Sequence, residues 1–179
     1  MGPRIFSIAI DSKNRLYLAD LSGKKIDVFN PDGSFLQQLG RADRSPGEFH
    51  LVWKLRIKNH SLYALDYMLQ KISVFNLKTM QHIHDDNISL LKIGNDQPPW
   101  YKKALKKHTF YTATNFYIQP DNNYLIFFSD NEVAPRSILK NRLYEGSTYN
   151  SRTEKYLKSK VFTFKWSGGV LNKKNVTLF

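Results

Sequence analysis

Leu16-Tyr17-Leu18-Ala19-Asp20 is followed by Ile26-Asp27-Val28-Phe29-Asn30, and the pair returns as Leu62-Tyr63-Ala64-Leu65-Asp66 and Ile72-Ser73-Val74-Phe75-Asn76. Every matched position is displaced by 46 residues. A fixed period of this length marks a stacked repeat, in which each unit buries its apolar face against the next.

The residues on either side of each pair complete the unit. Phe6-Ser7-Ile8-Ala9-Ile10 precedes the first pair and Val52-Trp53-Lys54-Leu55-Arg56-Ile57 the second, and alternation marks both as strands. Asp11-Ser12-Lys13-Asn14 and Lys58-Asn59-His60-Ser61 supply tight polar turns, where Asn and Asp tolerate left-handed geometry. After the third strand, Asn30-Pro31-Asp32-Gly33 is a turn in which Pro presets φ and Gly accepts a positive φ. Ser34-Phe35-Leu36-Gln37-Gln38-Leu39 then returns as a fourth strand, and Met80-Gln81-His82-Ile83 does the same in the second unit. Four antiparallel strands per unit describe a β-propeller blade, so the expected fold class is all-β.

A third unit is stretched. Asn115-Phe116-Tyr117-Ile118 leads through Pro120-Asp121-Asn122-Asn123 to Tyr124-Leu125-Ile126-Phe127-Phe128-Ser129-Asp130, the same strand, turn, strand and Asp order. Val161-Phe162-Thr163-Phe164-Lys165-Trp166-Ser167-Gly168 parallels residues 26–33, but Asp130 to Phe164 spans 34 positions where Asp20 to Phe29 spans 9. The expected organisation is one partial propeller domain over residues 1–179. Blade 1 lies at about 5–40 and blade 2 at about 48–86, followed by a connector at 87–112. Blade 3 occupies about 113–179, with an insertion at 131–159. Loops this long are usually functional or disordered. Within the connector, residues 100–108 read as a short basic helix started by Pro98 and Pro99.

The segments at 16–20 and 26–33, with the linking Ser45-Pro46-Gly47-Glu48-Phe49, resemble the NHL repeat. From Asn115 onward, the aromatic strand, the insertion and Phe164-Lys165-Trp166-Ser167-Gly168-Gly169 are similar to the TolB-like six-bladed propellers of Bacteroidetes, with Lys165 in place of that motif's acid. The resemblance implies six blades around a central channel, mostly non-catalytic binding roles, and a place in the cell envelope or periplasm. Only about three blades are visible here, so the propeller is incomplete in this chain. The missing blades are expected from a longer chain or, as the alternative, from a homodimer. The first is favoured because Val176-Thr177-Leu178-Phe179 stops inside an expected strand.

Composition limits the chemistry. Apolar residues make up 41% and aromatics 14% of 179 residues, too many for a disordered chain. No stretch approaches the roughly 18 to 20 apolar residues of a membrane span. The absence of cysteine excludes disulfides, thiolate metal sites and cysteine nucleophiles. Net charge is +12, and it is uneven: residues 1–90 carry 12 basic and 9 acidic groups, residues 91–179 carry 15 and 6. Such an excess admits a polyanionic partner.

The favoured role is a non-enzymatic module that binds a protein, peptide or glycan, with no cofactor. Candidate ligand contacts are Trp100, Tyr101, Lys102, Lys103, Lys106, Lys107, Arg136 and Arg142, which combine cations with stacking surfaces. The same residues serve the alternative of a basic, RNA-binding propeller. A third reading, a metal-dependent lactonase or lyase, would need Asp20, Asp66 or Asp130 together with residues from the absent blades. Against it, a carboxylate recurring at each strand end is expected to accept backbone N–H bonds in the following turn. His82 and His84 are expected on one face of a strand, a spacing that could supply two metal ligands, but they lack a third ligand and read as a solvent-facing pair. No nucleophile elbow, phosphate-binding glycine loop or HExxH is present.

Overall fold

Alternating apolar side chains make strands, and among the described residues they make little else. The computed structural model describes residues 4–22, 24–91, 101–102, 111–130, 142–166 and 176–178. The first sheet takes β1 (Ile5–Ile10), β2 (Leu16–Asp20), β3 (Lys25–Phe29) and β4 (Phe35–Leu39) in that order. The second takes β5 (Val52–Lys58), β6 (Ser61–Asp66), β7 (Lys71–Asn76) and β8 (His82–Asn87). The third takes β9 (Tyr111–Ile118), β10 (Tyr124–Asp130), β11 (Arg142–Asn150), β12 (Lys155–Trp166) and β13 (Val176–Leu178). All neighbours pair antiparallel. The architecture is all-β, and no helix among the described residues is long and apolar enough to cross a membrane.

Turn chemistry fixes where strands reverse. Asn14, Asn59 and Asn122 sit at φ of 58°, 54° and 66°, in the left-handed region that Asn tolerates. Gly33 adopts φ 84° and donates its N–H to the Asn30 carbonyl at 2.9 Å.

The chain divides into two compact units, Met1–Asn87 and Ile88–Phe179. In the first, Tyr17, Ala19, Ile26 and Val28 from one sheet join Val52, Leu55, Leu62, Ala64 and Phe75 from the other in a single buried core. Burial of this kind contributes roughly 1.5 to 3 kcal/mol per large side chain. At one end of the joint, Arg15 donates to the Leu77 carbonyl at 2.7 Å while paired with Asp11 at 2.6 Å. In the second unit the core is aromatic: Tyr124 stacks on Tyr149, with centroids 6.0 Å apart, and Tyr149 meets Tyr156 edge-on at 5.1 Å. The buried Tyr156 hydroxyl donates to the Ile88 carbonyl at 2.8 Å, which answers its polar end.

The stretch at 131–159, expected as an insertion, contains β11 and the start of β12. The third strand of this sheet is therefore β11, and Phe164 lies one strand later, opposite Tyr144. Asn150 makes the reversal: its side-chain oxygen accepts the N–H groups of Arg152 and Thr153, both at 3.0 Å, and Glu154 takes φ 53°. Phe164-Lys165-Trp166-Ser167, matched in sequence to residues 29–32, thus begins within β12 rather than in the third strand of the sheet. Of the helix expected at 100–108, Tyr101 and Lys102 are helical and the remainder lies outside the described residues.

Candidate functional site

The first strand of each blade in the first unit carries a bulge at the same point. Ile5 faces Asp20 and Ser7 faces Ala19, so Phe6 is extra; Val52 faces Asp66 and Lys54 faces Leu65, so Trp53 is extra. A bulge interrupts the period-two alternation and re-aims the side chain it carries. Here it delivers two aromatic rings to each other: the Phe6 and Trp53 centroids are 4.5 Å apart. Tyr67, the first residue after β6, extends the row, its ring 5.5 Å from that of Trp53. Its backbone is fixed by an N–H bond to the Leu51 carbonyl at 2.9 Å. Met68 beside it and Ile5 are exposed, Phe6 is at the edge of exposure, and Trp53 and Tyr67 are half-buried.

Asp20 and Asp66 hold this end of the sheets together. Asp66 is fully buried and accepts four backbone N–H bonds, from His50 at 2.6 Å, Leu51 at 3.0 Å, Met68 at 2.9 Å and Leu69 at 2.8 Å. Asp20 repeats half of the pattern, accepting from Arg4 at 3.2 Å and Ser22 at 2.9 Å. Oxygens committed to amide hydrogens are poorly placed to bind a cation. Among the described residues no group of three or more His, Asp or Glu side chains is placed to hold a metal ion. The carboxylates thus shape the loops that present Tyr67 and Met68; the Asp130 side chain lies outside the described residues.

The linker between the blades is tied down by Asp85. This carboxylate meets Lys71 Nζ at 2.6 Å and His82 Nε2 at 2.8 Å, and it accepts the Gly47 N–H at 3.3 Å. Burial raises its pKa, but hydrogen bonds from its neighbours, led by Lys71, outweigh that and hold the group below the usual carboxylate range. His82 is consequently not a solvent-facing residue. Its ring packs against Phe75 at 5.5 Å, and a β-bulge between His82 and His84 removes the common face that alternation suggests. His84 is exposed and sits 3.3 Å from Asp86.

Of the candidate contacts named from sequence, Tyr101 is fully buried and Lys102 is exposed. Arg142 opens β11, its backbone opposite Trp166, and its side chain lies outside the described residues. Trp100, Lys103, Lys106, Lys107 and Arg136 also lie outside them. Phe6, Trp53 and Tyr67 escaped sequence reasoning because regular alternation gives no sign of a bulge.

Comparison with known proteins agrees with this architecture. No curated protein matches the sequence. A protein of Bacteroides fragilis NCTC 9343, described as exported, superposes with a TM-score of 0.56 at 14% identity, over 93% of this chain and 46% of that one. A protein of unknown function from Bacteroides caccae superposes with a TM-score of 0.52 at 11% identity, over 86% and 47%. This chain spans about half the length of each. The model of the 6-bladed beta-propeller family matches residues 5–175. With its three antiparallel sheets, this chain belongs to the 6-bladed beta-propeller family and forms an incomplete propeller.

Proposed function

We propose that the chain is a non-enzymatic binding module that recognises a protein, peptide or glycan through the end of the blades bearing Phe6, Trp53, Tyr67 and Met68. One observation carries this reading: equivalent bulges in two successive blades place Phe6 and Trp53 in a partly open aromatic row. Such rings offer a large contact area at low conformational-entropy cost, with two side-chain torsions each. Lys102, Lys103, Lys106, Lys107, Arg136 and Arg142 are proposed separately as basic contacts of the second unit, with Trp100 as a stacking surface; Tyr101 is fully buried. The NHL-type pattern supports a binding role. The likeness to an exported Bacteroides protein supports a place in the cell envelope.

Peptide and glycan arrays probed with the wild-type chain and with Trp53→Ala and Tyr67→Ala test this. The expected result is a ligand whose binding falls at least tenfold in both variants while circular dichroism is unchanged. Ligands bound equally by all three proteins would remove the aromatic row from the site. Tight binding of single-stranded RNA with a steep salt dependence would replace this reading with the nucleic-acid one.

A further inference from the structure

The end of the first unit that bears the aromatic row also bears positive charge with no partner. Arg4 precedes β1 and is exposed, Lys24 lies in the turn that joins Asp20 to Lys25, and Lys54 follows Trp53 in β5. Arg44 is exposed in the linker beside Ser45, whose carbonyl accepts Lys71 Nζ at 3.1 Å. None of these side chains makes an ion pair or hydrogen bond among the described residues, whereas Lys25, Arg41 and Lys71 are paired with Asp27, Glu48 and Asp85.

The acidic groups of this end are already committed. Asp20 and Asp66 are buried and accept backbone N–H groups. Asp43, exposed in the linker, turns back on its own loop, where it accepts the Arg44 N–H at 2.6 Å and the Ser45 hydroxyl at 3.3 Å. A ligand that reaches Phe6, Trp53 and Tyr67 therefore meets apolar surface bordered by cations.

We infer that the ligand of the aromatic row is an acidic peptide segment, with a large apolar side chain seated on the rings and flanking Asp or Glu carboxylates facing Arg4, Lys24, Arg44 and Lys54. This rests on the binding site proposed above and adds the charge and class of its ligand. Charge complementarity sets the sign, because carboxylates supply the partners these cations lack. The make-up of the row favours a peptide. Exposed Met68 and Ile5 put adaptable aliphatic surface beside the rings, which suits an apolar side chain. A glycan calls for side-chain acceptors for its hydroxyls, and the buried carboxylates here are occupied by amides. Trp53 is 4.5 Å from Phe6 and 5.5 Å from Tyr67, so the rings contact one another instead of standing apart as platforms for separate nucleotide bases.

An array of short peptides tests this, each with a central Trp, Phe, Leu or Met flanked by Asp and Glu, by Asn and Gln, or by Lys and Arg. The wild-type chain should bind the acidic set about tenfold more tightly than the amide set, with a preference that shrinks as salt rises. Arg4→Gln/Lys54→Gln should lose the preference, and Arg4→Glu/Lys54→Glu should transfer it to the basic set, each with an unchanged strand signal by circular dichroism. Trp53→Ala should weaken binding of the acidic and amide sets alike. Absence of an acidic preference, or a preference untouched by the charge substitutions, would overturn the inference; if Trp53→Ala still abolished binding, the aromatic row would stand as the site. Acidic binding that survives Trp53→Ala and Tyr67→Ala would remove the row itself, and the inference with it. Tighter binding of single-stranded oligouridylate than of any acidic peptide would overturn it as well.

Discussion

The Arg15 guanidinium donates to the Leu77 carbonyl oxygen at 2.7 Å across 62 residues of sequence, tying the turn after β1 to the turn after β7. Asp11 Oδ2 accepts from the same nitrogen, Nη2, at 2.6 Å and from Nε at 2.7 Å, and it accepts the Tyr17 hydroxyl at 3.1 Å. Arg15→Met removes a charge-assisted bond and leaves Asp11 with fewer donors, so unfolding free energy should fall by about 2 kcal/mol. Urea denaturation measures it. Arg15→Lys should recover only part of the loss, since an ammonium cannot serve both partners with the same fork. Equal stability of Arg15→Met and wild type would show that the joint does not depend on this clamp.

Asp66 and Asp20 offer an internal control. Asp66→Ala strands four backbone donors and Asp20→Ala two. The first should destabilise by about 3 kcal/mol and the second by roughly half that. Calcium should not raise the melting temperature of the wild type. A calcium-dependent rise that Asp66→Ala abolishes would contradict the structural role assigned to this carboxylate.

Gly47 and Gly33 separate two costs of glycine replacement. Both have positive φ, 73° and 84°, but a Cβ on Gly47 would stand 2.8 Å from His82 Cγ, while around Gly33 there is nothing within 4 Å. Gly33→Ala should cost about 1 kcal/mol from backbone conformation alone. Gly47→Ala should cost about 1 to 3 kcal/mol more, because His82 must leave Asp85 to make room. Thermal melts of the two variants would refute the argument if they coincided.

Acid sensitivity should follow Asp11 and Asp85. For Asp11, burial raises the pKa, but bonds from Arg15, Lys13 and Tyr17 prevail; both carboxyls are held below the usual range. A group whose folded pKa is depressed binds fewer protons in the folded state. Its stabilisation is present above the unfolded value, about pH 4, and is lost as pH falls through the lower folded value. Asp85→Asn should be less stable than wild type at neutral pH and lose less on acidification. Melting temperatures across a pH series would reveal the difference, and parallel curves would count against Asp85.

The repeat at 16–30 and 62–76 was legible because each unit spends its apolar residues on period-two strands and its Asn, Asp, Pro and Gly on turns. Those are local preferences, and the left-handed Asn14, Asn59 and Gly33 lie where the residues call for them. The third sheet was harder. Its third strand, β11, carries Glu145, Gly146 and Asn150 among its residues, and a closer motif match at Phe164 competed with it.

What the sequence by itself determined is the strand and turn grammar: which residues alternate, where the chain reverses, and that the unit is a propeller blade. What only the tertiary structure decided is where that alternation breaks. The bulges at Phe6 and Trp53 and the pairing of His82 with Asp85 depend on registers between strands that local propensity leaves open. The fate of each apolar face was likewise decided in three dimensions. Leu55 and Ile8 hold equivalent pairing positions, opposite Ala64 and Leu18, and only the presence of a neighbouring blade makes one of them core and leaves the other exposed.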